Sequence, residues 1–456
     1  MGLWRRAALA AVLALFAFAA IPAASAAPTP APGVPLAAPT KTVSVQQLPP
    51  ATNQRHFDAD TATAAYLAQV SGAKRARSDA YFEGGYWLIL IDALYTLAVM
   101  GLLLWFKISA AMRDFAQNLT RSRFWQVPIY VACFVAITTL ATFPLTLYEN
   151  FFREHAYGLS NQTFLQWFGD FATGFGVNLV MMLVLVTLIY AVVRAAKYSW
   201  WLWGAAVTVA FLAFTMLIAP VFIAPLFNHY QPLPAGPLKT EILNLAGANG
   251  IPVNDVYEYD ASRQSDRITA NVSGFLGTTR ISLADNLLKR CNDREILAVV
   301  GHEMGHYVLG HVYILLTWLG LLILAGFAFV NWGFGVLTGI FGGNWDVRTI
   351  DDPAGLPAVV ALFTIFMFFM TPVTNTITRT TEAQADIFGL NAARQPDGFA
   401  TVTLKLSEYR KLEPGKWEED IFYDHPSGHA RIAMAMRWKA AHLSDPDIAA
   451  GPVSPQ

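Results

Sequence analysis

The chain has 456 residues, of which 55% are hydrophobic and 14% are charged, and its formal net charge at pH 7 is −1. Soluble domains carry about 25% charged residues, so this composition excludes an ordinary soluble protein and indicates a membrane protein. A net charge close to zero offers no electrostatic attraction for nucleic acid, and we expect no nucleic-acid partner.

The first 26 residues have the three parts of a secretory signal peptide. Two arginines provide the charged start, residues 7–21 provide a short apolar core, and the small residues at 24–26 match a cleavage site. The alternative is a retained membrane anchor, but the apolar stretch is shorter than the ~20 residues that a spanning helix needs. We predict a cleaved signal peptide at 1–26, followed at 27–80 by an Ala- and Pro-rich linker and a pre-membrane segment.

Six long apolar stretches follow, each about the length that crosses a hydrocarbon core. Tyr and Trp cluster near several of their ends, which is typical of the aromatic belt at a membrane surface. The alternative, buried helices of a large soluble core, fits poorly with so few charges. We predict a membrane domain of four spans at 81–227 and a second domain with two further spans at 228–456. The predicted spans are 86–106, 127–147, 175–193, 200–218, 312–332 and 358–376.

The second domain also contains polar regions, one before its first span and one after its second span. Their apolar spacing changes between the helical period and the alternation of strands. The predicted elements are a helix that begins near Gly236, strands within 255–260 and 269–285 with a turn at Gly277, a helix with Asn292 or Asp293 as N-cap, and a glycine-rich loop at 333–343.

The segment GHEMGHYVLGH, residues 301–311, contains a metal-binding pattern. His302 and His306 are four residues apart, so on a helix both imidazoles lie on one face and can bind one ion. Glu303 flanks the pair and suits a base that takes a proton from the attacking water. Two surface histidines are the alternative, but the full His-Glu-x-x-His pattern is rare by chance, and we predict a zinc site.

The third ligand is expected from another part of the chain. His311 lies one residue short of the spacing in which a third histidine binds, and in a continuous helix it would point away from His302 and His306. We therefore predict that His311 is interfacial. Glu382 can complete a His2Glu site, and Asp386, four residues later, can orient a ligand histidine or donate to an oxyanion. On spacing alone, a solvated helix face explains that pair better.

Several stretches resemble one known family, in the same order along the chain. They are LYENFFREHAYGLSNQTFLQWFGD, IAPLFNHYQPLPAGPLK, ITANVSGFLGTTRISLADNLL, EILAVVGHEMGHYVLGH, EAQAD and DHPSGHARI. Through them the chain, from about Tyr81 to Trp438, resembles a bacterial member of the type I CAAX prenyl proteases, which are integral-membrane zinc metalloproteases of the gluzincin type. The resemblance implies a mainly α fold, a polytopic helical bundle that encloses a chamber, with a zincin-like α+β catalytic domain.

The resemblance also implies roles for eight residues. Three of them would bind one zinc ion per chain, four would serve catalysis, and one would bind the substrate main chain on an edge strand. The zinc ligands would be His302, His306 and Glu382; Glu303 would be the base, Asp386 a proton donor, Asn271 the substrate-binding residue, and His425 and Arg431 would line the site near the scissile carbonyl.

We therefore predict a zinc metalloendopeptidase in a bacterial inner membrane. Its partners would be an extended polypeptide substrate and the lipid bilayer, and its role membrane-protein quality control or CAAX-type processing. The alternative is an inert membrane transporter or scaffold that retains a metal-binding fold, but the set Glu303, Glu382 and Asp386 favours an enzyme.

The side of the membrane that the site faces stays open. A cleaved signal peptide, four intervening spans and basic residues after the first and third spans favour the outside. Three basic residues before the first span, together with the family resemblance, favour the cytoplasm.

Overall fold

Helices make up most of the computed structural model, which describes residues 57–274 and 279–448. The predicted signal peptide, most of the predicted linker and the turn at Gly277 lie outside the described residues. From Ala59 onward the chain forms one unit. Its helices are α1 (Ala59–Leu67), α2 (Gly72–Trp105), α3 (Ile108–Leu119), α4 (Arg123–Leu147), α5 (Phe164–Ala195), α6 (Trp200–Ile218), α7 (Pro237–Ala248), α8 (Asp285–Arg290), α9 (Asp293–Val308), α10 (His311–Trp345), α11 (Leu356–Ala393), α12 (Pro396–Leu406), α13 (Lys416–Phe422) and α14 (Gly428–Ala441).

Six of these helices, some with a short extension, are long and apolar enough to cross a membrane. Each carries one of the predicted spans, so the prediction of six spans is confirmed. Two of the extensions are π-helical turns, Tyr148–Arg153 after α4 and Ala219–Ile223 after α6, and a proline lies within or just before each of them. Proline removes a backbone donor, which explains why the regular α-helix ends there.

The predicted glycine-rich loop at 333–343 is wrong, because α10 continues as a helix to Trp345. Glycine is common in membrane helices, where it lets neighbouring helices approach closely. A Cβ on Gly326 would lie 2.6 Å from a ring atom of Phe363, and one on Gly333 would lie 2.7 Å from a methyl of Leu362. These glycines therefore allow α10 to pack against α11 and do not interrupt the helix.

The strands form one four-stranded sheet in the order β1-β2-β4-β3. They are β1 (Tyr230–Pro232), β2 (Val256–Tyr259), β3 (Ala270–Ser273) and β4 (Arg280–Ala284). The strands β2 and β4 are parallel, and the two outer pairs are antiparallel. The strand predictions are confirmed, and β3 lies at an edge of this sheet.

A hydrophobic core between the sheet and α9 fixes the position of the metal-binding pattern. Ile281 and Leu283 of β4 and Ile296, Val300 and Met304 of α9 are at most 1% exposed. Burying side chains of this size stabilises the fold by roughly 1.5–3 kcal/mol each. The predicted N-cap is also confirmed, since Asn292 and Glu295 form a capping box at the start of α9.

The opposite end of the membrane bundle is held by a buried arginine. Arg113 of α3 is 2% exposed and forms ion pairs with Asp346 at 2.7 Å, Asp352 at 3.0 Å and Asp114 at 2.8 Å. These carboxylates compensate the cost of burying the guanidinium. The cluster joins α3 to the turn between α10 and α11, so this turn lies at the end of the bundle away from the metal-binding pattern.

Candidate metal centre

Three donor atoms from two helices converge at the predicted metal site. The Nε2 atoms of His302 and His306 on α9 are 3.1 Å apart. The carboxylate of Glu382 on α11 lies 3.2 Å from the first nitrogen and 3.5 Å from the second. Three ligand atoms of these types within 4.8 Å of one another can hold one metal ion.

Small residues bring the two helices together at this point. A Cβ on Gly305 would lie 3.0 Å from the Cα of Ala385, and one on Gly389 would lie 2.8 Å from the backbone nitrogen of His302. The backbones of α9 and α11 are therefore in direct contact. This contact places Glu382, which follows His306 by 76 positions, beside the two histidines.

The proton arrangement at His302 fits a metal ligand. Its Nδ1 lies 2.7 Å from Oδ1 of Asp386 and donates to that carboxylate, so Nε2 is left with its lone pair toward the cluster. Asp386 is fully buried and also accepts two hydrogen bonds from Arg431, at 2.9 and 2.6 Å. Both carboxylate oxygens of Asp386 are thus engaged away from the open side of the site.

The carboxylates of Asp386 and Glu382 favour a positive charge at or beside the His302 ring. Burial alone would lower its pKa, but the hydrogen bond to Asp386 and the adjacent Glu382 carboxylate outweigh burial and raise the pKa of His302 to about 9. In addition, Oε2 of Glu382 is buried and has no hydrogen bond of acceptable geometry, although two imidazole nitrogens lie 3.2 Å away. A cation between these donors would satisfy that oxygen, so the residues fit a metal ion.

The structure corrects the reasoning about His311. The helix α9 ends at Val308, and Gly310 adopts a left-handed conformation with φ of 65°, so α10 starts in a new direction. His311 is consequently 1% exposed, and its Nδ1 lies 2.9 Å from Nδ1 of His306. The prediction that His311 is interfacial is wrong. His311 contacts Nδ1 of His306, the nitrogen that faces away from Glu382, so it lies outside the cluster of three donor atoms.

Glu303 lies beside the cluster and is half-buried. Burial raises the pKa of its carboxyl group, and the nearby His302 and His306 act in the opposite direction. A carboxylate in this environment binds a proton more readily than one in water, as a general base requires.

His425 approaches the cluster from the loop before α14. Its Nε2 lies 3.2 Å from Oε2 of Glu382, and its Nδ1 lies 2.8 Å from Oδ1 of Asp424. The guanidinium of Arg410 lies 3.4 Å from the same Nε2. The structure therefore brings His425 to the site, and Arg431 bonds to Asp386 and lines a cavity together with His425.

Asp424 and Arg410 were not predicted as site residues. Asp424 directly precedes the His-Pro pair of DHPSGHARI, and this position was an available signal. Nothing in the local sequence indicates Arg410. Asn271 lies on the edge strand β3, opposite Ser282 of β4, and its Oδ1 accepts a hydrogen bond from Ser273 at 3.1 Å.

A bundle of membrane-length helices that carries a His-Glu-x-x-His helix and a third carboxylate donor defines a class of protein, the membrane-embedded metalloproteases. Comparisons with known proteins agree with this class. Residues 53–229 match the family profile described as CAAX prenyl protease N-terminal, five membrane helices, and residues 232–439 match Peptidase family M48. Four of the candidate membrane helices of the described residues lie within 53–229.

Similar full-length proteins show the same relationship. The "Uncharacterized metalloprotease YhfN" of Bacillus subtilis is 33% identical over 330 residues, which are 72% of this chain and 77% of that protein. The "CAAX prenyl protease 1 homolog" of Arabidopsis thaliana is 27% identical over 356 residues, 74% of this chain and 80% of that protein. The chain therefore belongs to the CAAX prenyl protease 1-like metalloproteases of peptidase family M48. It is a membrane enzyme that hydrolyses peptide bonds.

The fold is also found among solved structures. The crystal structure of S. mikatae Ste24p superposes with a TM-score of 0.68 at 21% sequence identity, over 83% of this chain and 94% of that one. The predicted fold class, a mainly helical membrane bundle with a small sheet, is confirmed. Membership of the family favours the metalloprotease over the alternative of an inert transporter or scaffold.

Proposed function

We propose that this metalloprotease is a zinc endopeptidase that binds one zinc ion through His302, His306 and Glu382. The observation that carries the proposal is the convergence of the Nε2 atoms of His302 and His306 with the Glu382 carboxylate, at distances of 3.1 to 3.5 Å. The buried Oε2 of that carboxylate has no hydrogen bond of acceptable geometry. Two histidines and one glutamate are a donor set that zinc peptidases use. The remaining coordination position would be left for water or substrate.

A zinc ion held by these three residues would supply a Lewis acid able to polarise the scissile carbonyl and to acidify water. Glu303 takes the proton of the attacking water and later passes it to the leaving amine. His425 donates its Nδ1–H to Asp424 and, in its doubly protonated form, would donate its Nε2–H to the carbonyl oxygen as negative charge develops. Asn271 on the edge strand β3 binds the main chain of an extended substrate, which would add a strand to the sheet.

Asp386 is assigned to the orientation of His302. Its full burial and its engagement by His302 and Arg431 support this role over direct proton donation to a substrate. Arg431 holds Asp386 in place with two hydrogen bonds. Such outer-sphere pairs fix the orientation of a ligand imidazole and raise its basicity.

We place the protein in the bacterial inner membrane with the site on the extracytoplasmic side. The connections at the opposite end of the bundle and the helix ends beside them carry six basic residues, Lys107, Arg121, Arg123, Arg194, Lys197 and Arg348, and one acidic residue, Asp351, besides the carboxylates that pair with Arg113. Asp346 and Asp352 in the same region pair with the buried Arg113, so these basic residues dominate the remaining charge. Basic connections between spans favour the cytoplasm.

This orientation bears on the substrate and on the domains. The natural substrate would be an exported or membrane-associated polypeptide in extended form, so quality control is the better-supported role and CAAX-type processing the alternative. We propose that the membrane domain at 81–227 holds the substrate-accessible bundle and that the peptidase domain at 228–456 carries the chemistry. Residues 1–26 would be removed as a signal peptide, and residues 27–80 would remain as the linker and pre-membrane segment. The two family profiles, which meet between residues 229 and 232, support this division.

The test is the variant Glu303→Gln in the full-length protein. Amide replaces carboxylate at nearly constant volume, so we expect wild-type zinc content by metal analysis. Cleavage of casein should fall by about 10²–10⁴-fold, the usual contribution of a general base. Cleavage close to the wild-type rate would remove Glu303 from the mechanism, and wild-type protein without bound zinc would refute the zinc proposal.

A further inference from the structure

We propose that His311 is a positioning residue that holds His306 in the one ring orientation and proton arrangement able to bind the metal. The inference rests on the proposed zinc site. The two metal-binding histidines then have different supports: a carboxylate, Asp386, for His302 and a second imidazole, His311, for His306.

The contact depends on a break in the helix. Side chains five residues apart on a continuous α-helix differ by about 140° of rotation and do not meet. Gly310 adopts a φ of 65°, a conformation that a residue with a Cβ rarely occupies. This break turns His311 back over the preceding turn, where its ring lies 5.0 Å from that of His306, edge to face.

The hydrogen bonds from Gln384 through His311 to His306 determine which ring nitrogens carry a proton. Oε1 of Gln384, on α11, lies 3.2 Å from Nε2 of His311 and can only accept, so that nitrogen carries the proton. Nδ1 of His311 is then an acceptor, and Nδ1 of His306 donates to it at 2.9 Å. Nε2 of His306 is left without a proton, directed at Nε2 of His302 and at Glu382.

The burial of His311 makes this support strong. His311 is 1% exposed, whereas His306 is half-buried and open to the site. Without an acceptor at this position, the proton of His306 can move to Nε2 or the ring can rotate, and either change removes a metal-binding lone pair. Loss of such an outer partner typically weakens metal binding by about 10–100-fold.

Two substitutions separate the hydrogen bond from the packing. His311→Phe keeps the ring volume and removes the acceptor, whereas His311→Asn places an amide oxygen near the position of the lost Nδ1. We expect the zinc dissociation constant of the full-length protein, measured by competition with a chelator, to rise about 10–100-fold in His311→Phe. His311→Asn should restore most of the affinity. The visible spectrum of the cobalt-loaded protein should change in the Phe variant and return in the Asn variant.

Several outcomes would overturn the proposal. Unchanged zinc affinity in His311→Phe, or equal losses in the Phe and Asn variants, would show that the hydrogen bond does not position His306. Complete loss of zinc with a wild-type melting temperature of the metal-free protein would make His311 a ligand. If both variants fail to fold, Gln384→Leu, at an exposed position of α11, tests the same chain of contacts and should weaken zinc binding in the same direction; an unchanged affinity there refutes it. Failure of the zinc proposal itself would appear separately, as wild-type protein that binds no zinc.

Discussion

Gly389→Ala should disturb the metal centre through the packing of two helices. The new Cβ would lie 2.8 Å from the backbone nitrogen of His302 and 3.0 Å from its Cα, whereas ordinary contact begins at 3.4 Å, so α9 and α11 must separate by about 0.6 Å. If they move as rigid bodies, the bond from His302 to Asp386 lengthens from 2.7 Å to about 3.3 Å. That is beyond the range of about 2.7–2.9 Å in which charge-assisted hydrogen bonds are strong.

The expected cost has two parts. Overpacking against backbone atoms, which cannot rotate away, costs about 1–3 kcal/mol, and the better helix propensity of alanine returns up to about 1 kcal/mol. Loss of the Asp386 bond should weaken zinc binding by about 10–100-fold. The measurement is the zinc dissociation constant in detergent solution, by competition with a chelator.

A matched control is available in the same domain. Gly247→Ala lies inside α7, where a new Cβ meets no atom within 4 Å, and it should bind zinc like the wild type. If Gly389→Ala binds zinc within twofold of this control, the metal centre tolerates the helix separation and the argument from contact distances is refuted.

Three further predictions follow from the same geometry. Glu382→Ala should empty the metal site, as metal analysis of the purified protein will show; full zinc occupancy would refute its role as a ligand. Burial raises the pKa of Asp285, but the hydrogen bond from Lys289 opposes burial and keeps this pKa below its usual value. The ionised carboxylate therefore stabilises the folded state at neutral pH, and this contribution is lost as the pH falls below about 4. Asp285→Asn should therefore lower the melting temperature at pH 7, and its melting temperature should fall less than that of the wild type when the pH is lowered. Identical melting temperatures of variant and wild type at each pH would contradict this. In a chain without its two native cysteines, a membrane-impermeant thiol reagent on intact cells should label Asn254→Cys, at an exposed position just before β2 of the peptidase domain, but not Tyr198→Cys, in the connection between α5 and α6. The reverse pattern would place the site in the cytoplasm.

Features that depend on local sequence could be predicted. The six spans follow from long apolar stretches, and the start of α9 follows from the capping pattern at Asn292 and Glu295. The spacing of His302 and His306 alone places both rings on one face. Each of these features is set by neighbours within a few turns of the chain, so no knowledge of the remaining structure is needed.

Features that depend on backbone direction or on distant contacts could not be predicted in the same way. The position of His311 was missed because it depends on the conformation of Gly310, and a glycine before a helical stretch permits a break without requiring one. Glu382 came from the family resemblance, since its spacing to Asp386 also suits a solvated helix face. The helix through 333–343 was taken for a loop because the packing of Gly333 against Leu362 of α11 joins residues 29 positions apart in sequence.

The length of α11 explains why a hydrolytic site can lie beside membrane spans. Glu382 lies 26 residues after the start of this helix at Leu356, which corresponds to about 39 Å at 1.5 Å per residue. The hydrocarbon core is about 30 Å thick, so a helix with modest tilt carries Glu382 beyond the lipid tails to a level that water can reach. On α10 the site is adjacent to the first residue, His311, and the helix then returns through the membrane. Both spans thus act as rigid supports whose ends hold the donor atoms and their partners.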